Sequence, residues 1–285
     1  MRIIIVLVFS LLVAAVVLAL TLGGGTSTGG GHERVVAGFY PLAFAAEEIG
    51  GPGTEVQNLT PPGAEPHDLE PTPQDVQALQ SADLVLLLGN GFQPSLERAA
   101  QNAGGRVVEL LDTPGLDLRP GDPHVWLDPV RFEAIVEAVG QEMDDQPAAT
   151  RLVARLQALD REYRAGLAHC HQRDIVTSHE AFGYLADRYG LTQVAISGIS
   201  PEAEPTPRDL QHVVDVVRQT HATTVFTEPL VSPRLADTVA SETGARTAVL
   251  DPIEGLTAAE QADGDDYFSL MRRNLATLEQ GLGCR

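Results

Sequence analysis

Short, continuously apolar runs alternate with helix-like stretches along most of the chain. Strand-like runs stand at 34–39 (RVVAGF), 83–89 (DLVLLLG), 174–178 (DIVTS) and 223–228 (TTVFTE). Strands that are apolar on both faces are typical of parallel sheets covered by helices on both sides. The pattern therefore predicts an α/β protein whose sheets are parallel.

A repeated heptapeptide indicates that this alternation occurs twice. PTPQDVQ at 71–77 recurs as PTPRDLQ at 205–211. Each copy lies within the order strand, helix, strand, proline loop, helix, strand. We therefore predict two Rossmann-like lobes of the same topology.

Between the two halves, residues 147–170 have the spacing of one long amphipathic helix. Its apolar stripe consists of Leu152, Val153, Leu156, Leu159, Tyr163 and Leu167. Such a helix would connect the lobes rigidly. The predicted divisions are an N-terminal segment at 1–31, an N-terminal lobe at 32–145, the connecting helix at 146–169 and a C-terminal lobe at 170–285.

The N-terminal segment has the features of an export signal. Met1 and Arg2 precede an apolar run from Ile3 to Leu20, and the spacer GGGTSTGGG follows. This order is typical of a signal peptide. A run of about 18 apolar residues also approaches the ~20 that span a bilayer, so an uncleaved anchor is the alternative. No cysteine stands near the junction for lipid attachment, and we expect the rest of the chain to lie outside the cytoplasm.

Charge and cysteine content narrow the partners and the compartment. The formal net charge of −20 opposes binding to phosphate backbones, so we expect no nucleic-acid partner. Cys170 and Cys284 are the two cysteines of the chain. In an exported protein such a pair predicts one disulfide, and two unpaired buried thiols are the alternative.

Candidate metal ligands stand in four loops that follow strand-like runs. These loops are EPHDLEP at 65–71, DPHVWLDP at 122–129, SHEAFGYL at 178–185 and LDPIEGLT at 250–257. Ligands of open parallel sheets bind beyond the carboxyl ends of the strands, so two loops from each lobe could face one cleft. Three imidazoles and one carboxylate would then suit a tetrahedral zinc ion. The candidates are His67, His124, His179 and Asp251. They lie too far apart in sequence for a local motif, so their convergence depends on the two-lobe arrangement.

These loops, in order with ISGISPEAEPTPRDL and FTEPLVSP, resemble the metal-binding proteins of ATP-binding-cassette importers for zinc and manganese. The resemblance covers about residues 33–285. It implies two α/β lobes joined by one long helix, with a single ion in the cleft between them. It implies as ligands His67, His124, His179 and Asp251. Glu228 matches a position that supports a histidine ligand through a hydrogen bond. Trp126 is expected to pack beside His124, and shielding of the ion is its alternative role.

The resemblance also implies the cargo and the partner. In the family's manganese binders the third ligand is usually a carboxylate, whereas this chain has His179, and nitrogen donors favour zinc. Manganese or iron carried by the same kind of protein is the alternative. Residues 113–124 differ from many zinc-uptake relatives in having no histidine-rich loop before the second ligand. We expect a monomeric carrier, in the periplasm or on the outer face of the cell membrane, that delivers Zn²⁺ to a membrane permease.

Two functions of other classes remain as alternatives. A zinc-dependent hydrolase needs an open coordination position for water and a general base, for which Glu180 or Glu228 would be available. Four protein ligands would leave no such position, so we expect no enzyme activity. An adhesin-like surface protein is compatible with the same fold.

Overall fold

The computed structural model describes residues 33–201 and 203–285. The predicted signal or anchor at 1–31 lies outside these residues. By its internal contacts, the chain from Glu33 to Arg285 is one compact unit. Among the helices of the described part, none combines the length and the apolarity that a membrane crossing requires.

The N-terminal half forms a four-stranded parallel sheet in the order β2-β1-β3-β4. Its strands are β1 (Glu33–Ala37), β2 (Thr54–Asn58), β3 (Leu84–Leu87) and β4 (Arg106–Glu109). Its helices are α1 (Tyr40–Gly50), α2 (Pro73–Ser81), α3 (Pro94–Ala100) and α4 (Pro129–Glu142). Strand β3 is buried along its whole length, as its continuously apolar sequence predicts.

One long helix, α5 (Gln146–Gly166), connects the two halves. At 1.5 Å per residue it is about 31 Å long. Every residue of the predicted apolar stripe is buried. The helix ends three residues before the predicted 169. Just beyond its end, the guanidinium of Arg173 donates to the carbonyl oxygens of Leu167 and Ala168.

The C-terminal half repeats the first sheet, with the parallel order β6-β5-β7-β8. Its strands are β5 (Asp174–Thr177), β6 (Thr192–Ala195), β7 (Thr224–Thr227) and β8 (Arg246–Val249). Its helices are α6 (Gly183–Tyr189), α7 (Pro207–Thr220), α8 (Arg234–Thr243), α9 (Ala258–Asp263) and α10 (Tyr267–Leu282). The equivalent order confirms the predicted fold of two α/β lobes joined by a helix.

The repeated heptapeptide starts the equivalent helix in each lobe. The hydroxyl of Thr72 accepts a hydrogen bond from the Asp75 backbone N–H, and the Asp75 carboxylate accepts one from the Thr72 N–H. Thr206 and Asp209 form the same capping box at α7. A proline at the first helical position of each helix leaves no hydrogen bond unmade. The sequence repeat therefore encodes a helix start at the same place in both lobes.

A disulfide joins Cys170 to Cys284, as predicted. It links the segment before β5 to the residues that follow α10, which are 114 positions apart in sequence. Backbone hydrogen bonds from His171 and Gln172 to the carbonyl oxygen of Leu282 lie beside it. The bridge therefore fixes the last helix to the start of the C-terminal lobe.

Replacing both cysteines with serine is expected to lower the free energy of unfolding by about 2–4 kcal/mol, because the bridge restricts the unfolded chain. For a domain of this size that loss corresponds to a melting temperature lower by roughly 5–15 °C. Circular dichroism of the metal-free protein measures the change. A wild-type protein that melts at the same temperature with and without reductant would contradict the prediction.

Candidate metal centre

Three histidines and one glutamate meet at the carboxyl ends of the strands, between the two lobes. Their ligand-type atoms all lie within 4.8 Å of one another, and all four side chains are buried. They are His67, His124, His179 and Glu254. Within residues 33–201 and 203–285, no second group of three or more such side chains has this arrangement.

The carboxylate oxygen Oε1 of Glu254 is the common neighbour of the three imidazoles. It lies 3.4 Å from Nε2 of His67, 3.3 Å from Nε2 of His124 and 3.3 Å from Nε2 of His179. The Nε2 atoms of His124 and His179 are 3.4 Å apart. Around a tetrahedral zinc ion with bonds of about 2.0–2.1 Å, neighbouring ligand atoms are separated by about 3.3–3.4 Å. These four of the six spacings within the group are therefore those of ligands around an ion of this size.

His67 is held by the proline-rich loop that follows β2. Glu65 accepts a hydrogen bond from the His67 backbone N–H at 3.2 Å, which tightens the loop immediately before the imidazole. Gln93 donates from Nε2 to the carbonyl oxygen of Pro66 at 3.3 Å. The ring of His67 packs edge-on against Phe92, with centroids 4.6 Å apart. These contacts fix the backbone and the ring of His67 at the site.

His124 is oriented by the carboxylate of Asp122. Oδ1 of Asp122 lies 2.8 Å from Nδ1 of His124 and accepts a second hydrogen bond from its backbone N–H. A proton on Nδ1, donated to Asp122, leaves Nε2 free to bind a metal ion. Asp122 is not among the site residues predicted from the sequence. The available signal was its position two residues before the histidine in DPH.

His179 is oriented in the same way by Glu228, which immediately follows β7. Its Nδ1 lies 2.6 Å from Oε2 of Glu228, and its backbone N–H donates to Oε1 at 2.9 Å. Glu228 thus makes the contact that the family resemblance implies. Two of the three imidazoles have a carboxylate on the nitrogen that faces away from the group.

The carboxylate beside the histidines belongs to Glu254, whereas the sequence predicts Asp251. The side chain of Asp251 stabilises a turn in its own loop, because its Oδ1 accepts a hydrogen bond from the Ile253 N–H at 2.7 Å. Ile253 has a left-handed φ of +55°, which is rare for a branched side chain and redirects the backbone. Asn274 holds the Asp251 backbone through both its N–H and its carbonyl oxygen. Glu254, three residues further on, consequently reaches the imidazoles.

Trp126 is buried beside His124, as predicted, with ring centroids 5.2 Å apart. Its Nε1 donates to the carbonyl oxygen of Pro252 at 2.8 Å, and its own carbonyl oxygen accepts from Tyr267. The indole therefore attaches the loop of Glu254 to the N-terminal lobe. Its contacts are those of a packing residue that also positions the site.

The buried carboxylates and imidazoles shift one another's pKa values. Burial by itself lowers the pKa of a histidine. Against that effect, hydrogen bonds to Glu228 and Glu254 raise the pKa of His179 to about 10, and those to Asp122 and Glu254 raise the pKa of His124. Burial favours a protonated Glu254, yet the three histidines hold the pKa of this carboxyl well below its usual range. A metal ion entering the site must therefore displace protons from imidazoles.

We expect zinc binding to release protons and to weaken as the pH falls. Because the pKa of His179 is raised to about 10, its imidazole is positively charged at neutral pH in the metal-free protein, with a proton on each ring nitrogen. The apparent affinity should rise about tenfold per pH unit for each proton displaced, across roughly pH 6 to 9. Calorimetry in buffers of different ionisation enthalpy counts the protons. Zinc binding at neutral pH without proton release would contradict the site's electrostatics.

The fold and the site define a class of protein: a two-lobe α/β binding protein with a buried histidine-rich group between its lobes. The family model described as "Zinc-uptake complex component A periplasmic" (ZnuA) matches residues 35–281. The chain belongs to this family.

Relatives of known name agree with that assignment. The "High-affinity zinc uptake system protein ZnuA" of Bacillus subtilis is 33% identical over an alignment 305 positions long. The alignment covers 95% of this chain and 96% of that protein. The "Zinc-binding lipoprotein AdcA" of Streptococcus pneumoniae is 33% identical over 279 residues. That match covers 88% of this chain and 56% of AdcA, so the chain spans about half the length of this longer relative.

Two solved structures show the same fold. The Zn(II)-bound ZnuA-like domain of Streptococcus pneumoniae AdcA superposes with a TM-score of 0.76 at 34% identity, over 88% of this chain and 99% of that one. The laminin-binding protein Lmb of Streptococcus agalactiae, described as bifunctional with adhesin and metal-transporting activity, has a TM-score of 0.81 at 30% identity. That match covers 88% of this chain and all of Lmb.

Proposed function

We propose that this protein captures Zn²⁺ outside the cytoplasm and delivers it to the membrane permease of an ATP-binding-cassette importer. The observation that carries the proposal is the buried group of three imidazoles around one carboxylate oxygen, which lies 3.3–3.4 Å from each of them. Membership of the zinc-uptake family and the names of the relatives support it. The proposed ligands are His67, His124, His179 and Glu254.

The donor set favours zinc over manganese. Manganese prefers oxygen donors and octahedral coordination, whereas three nitrogens and one oxygen in a tetrahedron suit zinc. The four side chains are buried, and each imidazole already lies 3.3–3.4 Å from the carboxylate oxygen of Glu254. That spacing leaves little room for the additional oxygen ligands of an octahedral ion.

The same geometry favours carriage over hydrolysis. A catalytic zinc ion keeps a coordination position open for water, with a base beside it. Here Glu254 stands at the fourth vertex, and both carboxylate oxygens of Glu228 are engaged by His179. An adhesin role is described for the Streptococcus agalactiae relative and is not proposed for this chain.

The metal content of the purified protein tests this proposal. After purification without chelators, inductively coupled plasma mass spectrometry should find close to one zinc per chain. In dialysis against equal concentrations of Zn²⁺ and Mn²⁺, zinc should occupy the site almost alone. Equal retention of the two ions, or no bound metal, would contradict the proposal.

A further inference from the structure

We infer that helix α6 of the C-terminal lobe sets how long the ion is retained, by holding the loop of the N-terminal lobe that carries His124. The inference rests on the proposed function and adds a positioning device to it. The device, here called the α6 clamp, consists of Arg119 and Asp122 on the loop and Tyr184 and Asp187 on the helix.

The clamp begins at the carboxylate that orients His124. Oδ1 of Asp122 accepts two hydrogen bonds from His124, while Oδ2 is buried and has no hydrogen-bond partner among the described residues. The nearby cation is Arg119, whose Nε lies 3.5 Å from this second oxygen. Helix α6 approaches closely as well, since a Cβ on Gly183 would lie 2.8 Å from Oδ2. Arg119 therefore balances the charge of the carboxylate on the His124 ring.

The same arginine binds the opposite lobe. Nη1 of Arg119 lies 2.6 Å from Oδ2 of Asp187 and donates to the carbonyl oxygen of Gly183 at 3.2 Å. The hydroxyl of Tyr184 accepts from the Arg119 backbone N–H at 2.8 Å and donates to the Asp122 carbonyl oxygen at 2.9 Å. Helix α6 thus contacts both loop residues, through side chains and backbone together.

Helix α6 is also tied to His179, which stands shortly before its first residue. Beyond His124, the guanidinium of Arg188 on α6 makes two hydrogen bonds to the buried carboxylate of Asp128, at 2.8 and 2.9 Å. Helix α6 therefore begins shortly after His179 and also contacts the loop of His124 on both sides of that histidine, at Arg119 and at Asp128. Movement of the lobes apart would separate Arg119 from Asp187 and the Tyr184 hydroxyl from the Asp122 carbonyl oxygen, and so free the loop that carries His124.

The clamp should affect metal retention far more than folding. The side chains of Arg119 and Asp187 are 37% and 62% exposed, and exposed ion pairs add little to stability. Loss of a group that orients a metal-binding histidine, in contrast, typically costs about 10- to 100-fold in metal affinity. If these residues only stabilised the fold, metal retention and folding stability would fall together.

Zinc release from Arg119→Gln and Asp187→Asn tests the inference. We expect a colorimetric chelator to withdraw zinc about 10-fold faster from each variant than from the wild type. The double variant should release zinc no faster than the faster single variant, because both changes break one chain of contacts. Arg119→Lys should restore part of the retention, since an ammonium contacts one carboxylate where the guanidinium contacts both. The melting temperature of each metal-free variant should match that of the wild type.

Arg272→Gln is the matched control, because it removes an exposed arginine–glutamate pair with Glu162 that involves neither the group of four nor helix α6. The Nδ1 proton of His124 should broaden by exchange in the NMR spectrum of Arg119→Gln and stay sharp in that of Arg272→Gln. The clamp inference would be wrong if Arg119→Gln released zinc at the wild-type rate, or if the control released it as fast as Arg119→Gln. Either result would leave the zinc-carrier function intact. A wild-type protein that binds no zinc would overturn both.

Discussion

Glu254→Gln is expected to weaken zinc binding by more than about 100-fold, which is the upper end of the cost of losing a group that only orients a ligand. The substitution keeps the size of the side chain and removes the negative charge that lies 3.3–3.4 Å from three imidazole nitrogens. A competitive titration with a zinc-selective chelator measures the change.

Asp251→Asn is the matched control for this substitution. The asparagine oxygen can still accept the hydrogen bond from the Ile253 N–H, so the turn that delivers Glu254 is preserved. We expect its zinc affinity to stay within about tenfold of the wild type, below the typical cost of losing an orienting group. A larger loss in Asp251→Asn than in Glu254→Gln would return the carboxylate ligand to Asp251.

Saturating zinc is expected to raise the melting temperature by roughly 8–16 °C. An ion present at 1,000 times its dissociation constant stabilises the folded state by about 4 kcal/mol, and each kcal/mol is worth about 2–4 °C in a domain of this size. In His179→Ala the rise should nearly vanish, because the variant loses one ligand and the contact with Glu228. Differential scanning fluorimetry with and without zinc measures both.

An exposed histidine provides the comparison for that measurement. His212 lies on the exposed face of α7, away from the group of four. His212→Ala should keep the full zinc-induced rise. Equal rises in His179→Ala and the wild type would place the stabilising ion somewhere other than among the three histidines.

The sequence predicts the architecture well because local chemistry specifies its elements. Buried parallel strands are typically continuously apolar runs, and β3 is one, with the sequence LVLL. The threonine–proline–aspartate pattern starts α2 and α7 through identical capping boxes, so one heptapeptide marks the equivalent point in both lobes. The three histidines follow from the rule that strand-end loops of parallel sheets face a common cleft.

The fourth member of the group depends on a feature that no sequence pattern shows. LDPIEGLT contains two acidic residues, and the choice between Asp251 and Glu254 depends on the left-handed conformation of Ile253. The first acid after a strand is the closer one in sequence, but its side chain is used to form the turn. Glu254 therefore reaches the site through the shape of the loop.

Arg119 is a second feature beyond the reach of sequence reasoning. Its partners Tyr184 and Asp187 stand on the other lobe, more than 60 positions away. No periodicity or motif connects these residues, because the contact exists only once both lobes have folded and packed together. Asp122 was closer to detection, since aspartate two residues before a metal-binding histidine is placed to orient its ring.

A crystal structure of the zinc-loaded protein, with anomalous scattering collected on both sides of the zinc absorption edge, tests the central claim most directly. The account predicts one strong anomalous peak, about 2.0–2.2 Å from the Nε2 atoms of His67, His124 and His179 and from a carboxylate oxygen of Glu254. A zinc ion bound through Asp251, or one lying outside the three histidines, would contradict it.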